Sequence, residues 1–394
     1  MLNRLSGNDT IDLSRATVRQ MTVSLRKPEQ TICPREQVQM AVMMTAIPDG
    51  AKEEKTFETW VGRGNVNKND RLDFSAFTFQ SEQGQFDKDG WMAPLQSLQA
   101  TAGHEFVVRA TYNPSPTIHS YVKKWRPDYA CITAATLAGT GGAAGAPGKD
   151  GAAGKIGDMG GVMSSGSDGL DGAAGAVGTE GSRGGVGPAI HAVVTYVKTP
   201  FYEKLIAVRL SGAITDFLLV HPGRPFAIHA VGGPGGPGGA GGNGGAGGNG
   251  ASGNPGGHGG VGGMGGAGGR GGRGGAGGSV DVVCDARFPE LVSLIGVDAP
   301  GGPGGPGGAP GHGGQRGAGG KGQVPANAPM AAVDGASGHA GNDGVVGALG
   351  ARGEDGTFGA KLGPIGEAFA GLPDITVLGP GAAAPQARPQ HPSH

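Results

Sequence analysis

The feature that most constrains this chain is a glycine at every third position over long stretches of its second part. Glycine keeps this register through 145–187, with one break at Met163, and again through 232–277. In the second stretch the residue directly after each of these glycines is also glycine, except at Ala251 and Asn254. A period of three belongs neither to the α-helix nor to the β-strand, but to the extended left-handed helix with three residues per turn. Residues three apart then share one face.

An extended helix of this kind has no hydrogen bonds of its own, so an ordered state must pair its backbone with neighbouring helices. Disorder and a collagen triple helix are the alternatives. Collagen needs one glycine per triplet and much proline, whereas 145–187 contains only Pro147 and 232–278 doubles the glycine. We therefore expect a bundle of packed polyglycine-II helices within one chain. The repeat slips near Met163, Asn254 and 324–327, where we expect the chain to turn back.

The glycines divide the chain near residue 138. Only 7 of the 86 glycines lie in 1–138, and all three tryptophans lie there. We predict a β-sandwich domain over 1–138 and a glycine-rich polyglycine-II and β domain over 139–379. The Pro- and Ala-rich end, 380–394, is predicted to be a disordered tail.

Short runs with strand alternation support the β-sandwich prediction for the first domain. They are separated by turn-forming residues and comprise 21–25, 38–43, 57–61, 72–77 and 105–112. Residues 128–131, Asp-Tyr-Ala-Cys, resemble the tyrosine-before-cysteine corner of immunoglobulin-type domains. That resemblance makes Cys33 the presumptive partner of Cys131. A generic β-sandwich is the alternative, because no further strand is expected before the glycines begin.

Apolar segments also interrupt the glycine-rich part. They read as strands and comprise 189–197, 204–210, 216–220, 226–231, 280–284, 291–295 and 375–378. Glycine bundles bury almost no side chain, so the hydrophobic driving force must come from these segments. We expect a small sheet or barrel from which the glycine helices project.

Residues 226–236 followed by 268–285, where glycine pairs run into a Val-rich strand, are similar to the glycine-rich N-terminal domain of Obg-type GTPases. The resemblance implies strands alternating with packed polyglycine-II helices, in a domain that docks onto a large partner. No GTPase domain follows in this chain. The helix type also resembles the sandwich of some bacteriophage tail-tip adhesins and the ice-binding protein of snow fleas.

Charge and hydropathy narrow the possible partners. The formal net charge is −1, which gives no reason to expect binding to nucleic acid. No apolar run approaches the length of a membrane span. The first residues lack the apolar core of a secretion signal, which favours a cytoplasmic assembly or a virion component over a classically secreted protein.

The motifs of common catalytic and cofactor sites are missing. A P-loop needs Gly-Lys followed by Ser or Thr, and Lys149, Lys155 and Lys321 are followed by other residues. Histidines are scattered without metal-ligand spacing. Asp150, together with three further aspartates of the first repeat, is read as solubilising, with a weak calcium site as the alternative. We expect no catalysis, no cofactor and no metal.

The expected function is a structural or adhesive module. The bundle would present loops and outward residues to a protein or cell-surface partner in a larger assembly, while the sandwich anchors it. The candidate display residues are Met163, Asn254, His258, Arg270 and Arg273. A collagen-like trimeric stalk and an ice- or surface-binding protein are the alternatives, and homo-oligomerisation stays open.

Overall fold

The computed structural model describes residues 10–27, 31–59, 70–114, 119–327 and 329–380. In this part of the chain nearly all regular structure is β-strand. The α-helices found there, α1 (Leu98–Thr101) and α2 (Leu291–Leu294), are about one turn each. The prediction of an all-β protein is confirmed at this level. The predicted tail, apart from Pro380, lies outside the described residues.

The strands that precede the glycine-rich part are short. They are β1 (Thr17–Leu25), β2 (Val38–Ile47), β3 (Lys55–Glu58), β4 (Phe77–Gln80), β5 (Gly84–Phe86), β6 (Trp91–Pro94), β7 (Phe106–Tyr112), β8 (His119–Trp125) and β9 (Ala134–Ala138). The strands of the later part are β10 (Ala189–Lys198), β11 (Leu205–Gly212), β12 (Asp216–Val220), β13 (Phe226–Val231), β14 (Ser279–Asp285), β15 (Ile295–Asp298), β16 (Thr357–Gly363) and β17 (Thr376–Val377).

The strands from β1 to β8 form two antiparallel sheets. One has the order β1-β2-β6-β5, with β3 also paired to β2, and the other has the order β4-β7-β8. β7 buries alternate side chains from Phe106 to Tyr112, as expected for a strand with one face on a core. These side chains pack with others of β1 and β2, among them Val23 and Met44, in one hydrophobic cluster.

A disulfide joins Cys33 to Cys131, with the two Cα atoms 6.1 Å apart. Cys33 is buried together with Tyr129 and Ile132 in a second hydrophobic cluster, which is built mainly from the later strands. The pairing that the immunoglobulin resemblance implied is therefore present. The expectation that no strand follows Cys131 is wrong, because β9 lies directly after it.

Polar contacts reinforce this junction between early and late strands. Arg35 forms an ion pair with Asp216 at 2.8 Å. The hydroxyl of Tyr202 donates a hydrogen bond to the carbonyl of Pro127 at 2.8 Å. The early sheets are thus fixed to the later ones by covalent, ionic and apolar contacts.

The second cluster is organised by two further sheets. One has the order β12-β11-β10-β14-β16, with β17 against β10, and the other has the order β15-β13-β9. β10, β14 and β16 are mutually parallel, and so are β9, β13 and β15. β11 buries 205–208 without interruption, as expected for a strand that is covered on both faces.

Six glycine tracts extend from these strands. They are extended segments that belong to none of these strands or helices: tract I (139–160), tract II (166–187), tract III (232–253), tract IV (256–278), tract V (301–322) and tract VI (335–356). β9, β13 and β15 lead into tracts I, III and V, and tracts II, IV and VI lead into β10, β14 and β16. Every tract therefore has one end at the sheets.

Parallel hydrogen bonds define two layers of tracts. Gly142 and Gly145 of tract I donate to the carbonyls of Pro234 and Pro237 of tract III, each at 2.8 Å. Because both sets of partners advance in the same direction, the two tracts are parallel. The same pattern joins III to V, II to IV and IV to VI. One layer therefore holds tracts I, III and V, and the other holds II, IV and VI.

Antiparallel hydrogen bonds join the two layers. Gly236 and Gly239 of tract III donate to the carbonyls of Ser182 and Thr179 of tract II, each at 2.9 Å. The same reversal relates I to II, III to IV, IV to V and V to VI. The tracts thus extend the two parallel-stranded sheets at their base into a two-layered array held by the backbone.

The close approach of these backbones explains the glycine repeat. A Cβ added to Gly245 would lie 2.0 Å from the carbonyl oxygen of Ala152, a backbone atom that cannot move aside. The next residue, Ala246, is exposed. Side chains are therefore confined to the positions of each triplet that face away from other tracts.

Most predicted strands are present, and two are wrong. 216–220 and 226–231 coincide with β12 and β13. 72–77 instead contains a 3-10 helix, Phe74–Ala76, before β4. Within 291–295, helix α2 replaces the predicted strand and β15 begins only at Ile295. The last two residues of 57–61, Trp60 and Val61, lie outside the described residues.

Candidate functional site

The end of the tracts that is remote from the sheets carries the three connections between tracts. We call them the tip loops: 161–165, 254–255 and 323–334, the last described except at residue 328. The backbone N–H of Asn254 donates to the carbonyl of Ser164 at 2.8 Å, and the N–H of Gln323 donates to the carbonyl of Gly253 at 2.8 Å. The middle loop therefore contacts the first loop, the last loop contacts the end of tract III directly before the middle loop, and the three loops lie at one surface.

Apolar side chains protrude at this surface. Met159 is 88% exposed and Met163 is 87% exposed, next to Val162 in the first loop. Met330 and Val333, both in the last loop, are also exposed. Large apolar side chains gathered outside a core are unusual on a monomer and typical of contact surfaces.

The structure brings together two of the five predicted display residues. Met163 and Asn254 lie on adjacent tip loops, and the side-chain amide of Asn254 donates to the carbonyl of Val162 at 3.4 Å. The other three, His258, Arg270 and Arg273, lie along tract IV. All three side chains point outward and are exposed.

His258 is engaged with its neighbours. Its Nδ1 accepts a hydrogen bond from the backbone N–H of Ala336 at 2.9 Å. Its own backbone N–H donates to Oδ1 of Asp168 at 2.6 Å. Arg273 is also engaged, by an ion pair with Glu354 at 2.7 Å. These contacts link tracts II, IV and VI side by side.

The outward aspartates and asparagines repeat the same contact. Asp150 Oδ1 accepts from the N–H of Asn243, and Asp171 Oδ1 accepts from the N–H of Val261, each at 2.6 Å. Asn243 Oδ1 in turn accepts from the N–H of His312 at 2.9 Å. Each side chain binds an outward N–H that neighbouring tracts leave unpaired. Asp150 and Asp171, two of the aspartates interpreted as solubilising, are exposed and also hold neighbouring tracts together.

These lateral contacts define two outer faces of the tracts. Outward residues of tracts I, III and V form a small-residue face, composed of Gly141, Ala144, Pro147, Asp150, Ala153, Ile156, Met159, Pro234, Pro237, Ala240, Asn243, Ala246, Asn249, Ser252, Pro303, Pro306, Ala309, His312, Gln315, Ala318 and Lys321. Outward residues of tracts II, IV and VI form a mixed face, where Val177, Arg183, Met264, Arg270 and Val345 project. The mixed face has more charged side chains and more large projecting side chains than the small-residue face.

Among the described residues, the most buried charge lies in the sheets. Asp285 is 3% exposed and accepts hydrogen bonds from the Thr195 hydroxyl at 2.6 Å and from Arg287 Nη2 at 2.7 Å. Burial alone would raise the pKa of Asp285, but the bonds from Arg287 and Thr195 outweigh it and hold that pKa below its ordinary value. Burial raises the pKa of the neighbouring Cys284 thiol to about 11. Both groups have the character of structural residues.

The described ranges hold neither a cluster of metal-binding side chains nor a membrane-spanning helix. Within them, no group of three or more His, Cys, Asp or Glu side chains has an arrangement that could hold a metal ion. None of the helices described there combines the length and apolarity needed to cross a bilayer. Comparisons with protein-family models, curated proteins and solved structures find no match.

The sequence pointed to Met163 and Asn254 through breaks in the glycine register. It did not point to Met330 or Val333, because they lie in a stretch where the register is lost over many residues. A signal was nonetheless present. Apolar residues beside Pro and Asn in a turn region have no core to enter, so they project into solvent.

Proposed function

We propose that this protein is a non-enzymatic structural or adhesive module whose tip loops bind a protein or cell-surface partner. The single observation that carries this proposal is the gathering of three loops, with exposed Met163 and Met330, at the end of the tracts opposite the sheets. A tract of about 22 residues spans roughly 65 Å at ~3.1 Å per residue. The tip is therefore held far from the base.

In this proposal the six tracts are polyglycine-II helices. The hydrogen bonds recur every third residue and run only between tracts, which supports that helix type. The donors of 232–278 find their acceptors within the same chain, which favours an intrachain bundle over a collagen-like trimer. The same arrangement is implied by the resemblance to Obg N-terminal domains and to tail-tip adhesins.

The two early sheets are proposed to form an immunoglobulin-like β-sandwich that anchors the module in a larger assembly. Their shared hydrophobic cluster supports this, as does the disulfide between Cys33 and Cys131. Disulfides persist mainly in oxidising surroundings. An assembly that acts outside the reducing cytoplasm is therefore favoured.

The proposal is tested by binding of the labelled full chain to intact cells and to arrays of glycans and surface proteins. Met163→Ser and Met330→Ser together should abolish the binding seen with the unaltered chain, because they remove apolar contact area at the tip. Met264→Ser, an exposed methionine on the mixed face, is the matched control and should bind normally.

Normal binding by the double variant would contradict display at the tip. Loss of binding in the Met264→Ser control with the double variant unaffected would move the binding site to the mixed face. The fold of each variant is checked by hydrogen exchange over 232–278, which should be as slow as in the unaltered chain.

A further inference from the structure

An open cavity of about 590 Å³ lies at the end of the sheets that is remote from the tracts, where the parallel strands β14 and β16 end. Its volume falls within the range of small-molecule sites, which combine apolar walls with a few polar groups. The lining has this composition and includes Asp285, Arg287, Pro364, Ile365, Phe369 and Val377. Among the described residues that line the cavity, Arg287 is the only base and Asp285 the only acid.

Most of the lining comes from the segment 363–370, which is held in place by the core. Phe369 is buried and packs edge-on against Phe217 of β12. Arg209 Nη1 donates a hydrogen bond to the carbonyl of Ala368 at 2.7 Å. The cavity is therefore formed before a ligand enters it, and binding does not have to order this segment.

The guanidinium of Arg287 has a fixed orientation and an unused edge. Its Nε and Nη2 donate to Asp285 at 2.9 and 2.7 Å, and the Thr195 hydroxyl in turn holds this carboxylate. Of the five N–H donors of an arginine, three therefore remain, on Nη1 and on the far side of Nη2. We call this the outer edge of Arg287, and no acceptor for it is present in the described part of the chain. The side chain is 37% exposed, so a ligand can reach it.

These groups favour one ligand chemistry. Two parallel N–H groups of a guanidinium match the two oxygens of a carboxylate. Because Asp285 neutralises Arg287, the pair has no net charge with which to attract a polyanion, and a phosphate would bring a second negative charge near Asp285. The remaining affinity must come from an apolar body in contact with Ile365, Phe369 and Val377.

We propose that this cavity binds a small carboxylic acid with an apolar body, whose carboxylate is held by the outer edge of Arg287. Asp285 is a positioning residue, since it fixes the guanidinium from the opposite side. The inference concerns the base of the molecule and does not depend on partner binding at the tip loops. It predicts a ligand that stabilises the folded sheets, because it binds only the folded chain.

The experiment is calorimetric titration of the full chain with 3-phenylpropanoate, and 3-phenylpropanamide serves as the neutral probe of the same shape. The acid should bind. The amide should bind at least roughly 10-fold more weakly, because it cannot form the charge-assisted pair with Arg287. Acetate should also bind at least roughly 10-fold more weakly than 3-phenylpropanoate, because it lacks the apolar body.

Two variants test the two parts of the cavity separately. Arg287→Lys keeps a cation beside Asp285 but loses the planar fork, so it should weaken binding of the acid by at least roughly 10-fold. Ile365→Ser leaves the ion pair intact and removes part of the apolar wall, so it should weaken binding by at least roughly 5-fold. The matched control is Arg224→Gln, at an exposed arginine between β12 and β13, which should bind the acid as the unaltered chain does.

Thermal unfolding shows which variants are folded, and Ile365→Ser carries the test if Arg287→Lys is not. The proposal is overturned if no heat of binding is seen up to about 10 mM acid, or if the acid and the amide bind equally well. It is also overturned if either folded variant binds the acid like the unaltered chain. Met163→Ser with Met330→Ser should leave binding of the acid unchanged, which separates this test from that of the tip.

Discussion

The sheets and the glycine tracts of this protein are held together by different means. The buried hydrophobic side chains of the described residues belong almost entirely to the sheets and their connections, and within the tracts only Ala251 is among them. The tracts are instead joined by backbone hydrogen bonds, most of them donated by glycine N–H groups. In the sheets, the space that a buried side chain fills therefore limits which residues a position accepts. In the tracts, the lack of space for any side chain limits the contact positions to glycine.

The largest effect is expected where a tract glycine gains a side chain. Gly245→Ala places a Cβ 2.0 Å from a backbone oxygen, so tracts I and III must separate. We expect a loss of at least about 4 kcal/mol in the free energy of unfolding. The lower entropy of the unfolded chain returns only about 1 kcal/mol. Urea unfolding measures the difference.

The control for that substitution is the neighbouring position, where the side chain is outward. Ala246→Ser should change stability by less than about 0.5 kcal/mol. Equal effects at positions 245 and 246 would mean that the glycine register does not determine the packing of the tracts.

Removing buried side-chain volume from the sheets should lower the free energy of unfolding by nearly as much as adding a side chain to a tract glycine. Leu219 of β12 is fully buried, and Leu219→Ala should cost about 2–5 kcal/mol. Hydrogen exchange over 232–278 in this variant then measures whether the tracts unfold together with the sheets. Because every tract continues into a strand, we expect the tracts to lose protection along with the sheets. Unchanged protection in the tracts would make them an independent folding unit.

A smaller effect with a defined pH dependence is expected at Asp285. Asp285→Asn removes the charged acceptor of Arg287 and should cost roughly 2 kcal/mol at neutral pH. The pKa of Asp285 is lowered in the folded state from 3.8. Its contribution is therefore complete above about pH 5 and is lost as the pH falls through the folded pKa. Thermal unfolding of both proteins between pH 7 and pH 2 should show the difference shrinking only at the acidic end.

The smallest effect concerns the side chains that bind outward N–H groups. Asp171→Ala removes the acceptor for Val261 and should cost roughly 0.5–1 kcal/mol, the net worth of one hydrogen bond. Asp171→Asn keeps an oxygen in place and should be close to the unaltered protein in thermal unfolding. If the asparagine variant is as unstable as the alanine variant, charge rather than hydrogen bonding is what Asp171 supplies.

The period of three made the glycine tracts predictable, because each glycine responds to a local steric demand that leaves a regular mark in the sequence. The apolar runs of β12 and β13 were predictable for a similar reason. The run 291–295 was not, since a short buried helix and a short strand share the same hydrophobicity.

The order of the tracts and the roles of their polar residues could not be predicted. The sequence indicates a display residue at His258 and a solubilising one at Asp150, and it does not indicate that each also binds a backbone N–H of another tract. The partners, Ala336 and Asn243, lie 78 and 93 positions away. All tracts present nearly the same glycine edges, so the sequence does not distinguish which of them become neighbours.

The connection of each tract to a strand at one end and to a loop at the other separates the length of the protein from its fold. Adding one triplet to both members of a pair of tracts, such as III and IV, would carry their loop about 9 Å farther from the sheets. It would alter no strand pairing at the base. The distance between the tip loops and the sheets can therefore change in fixed steps of one triplet, while the sheets themselves stay the same.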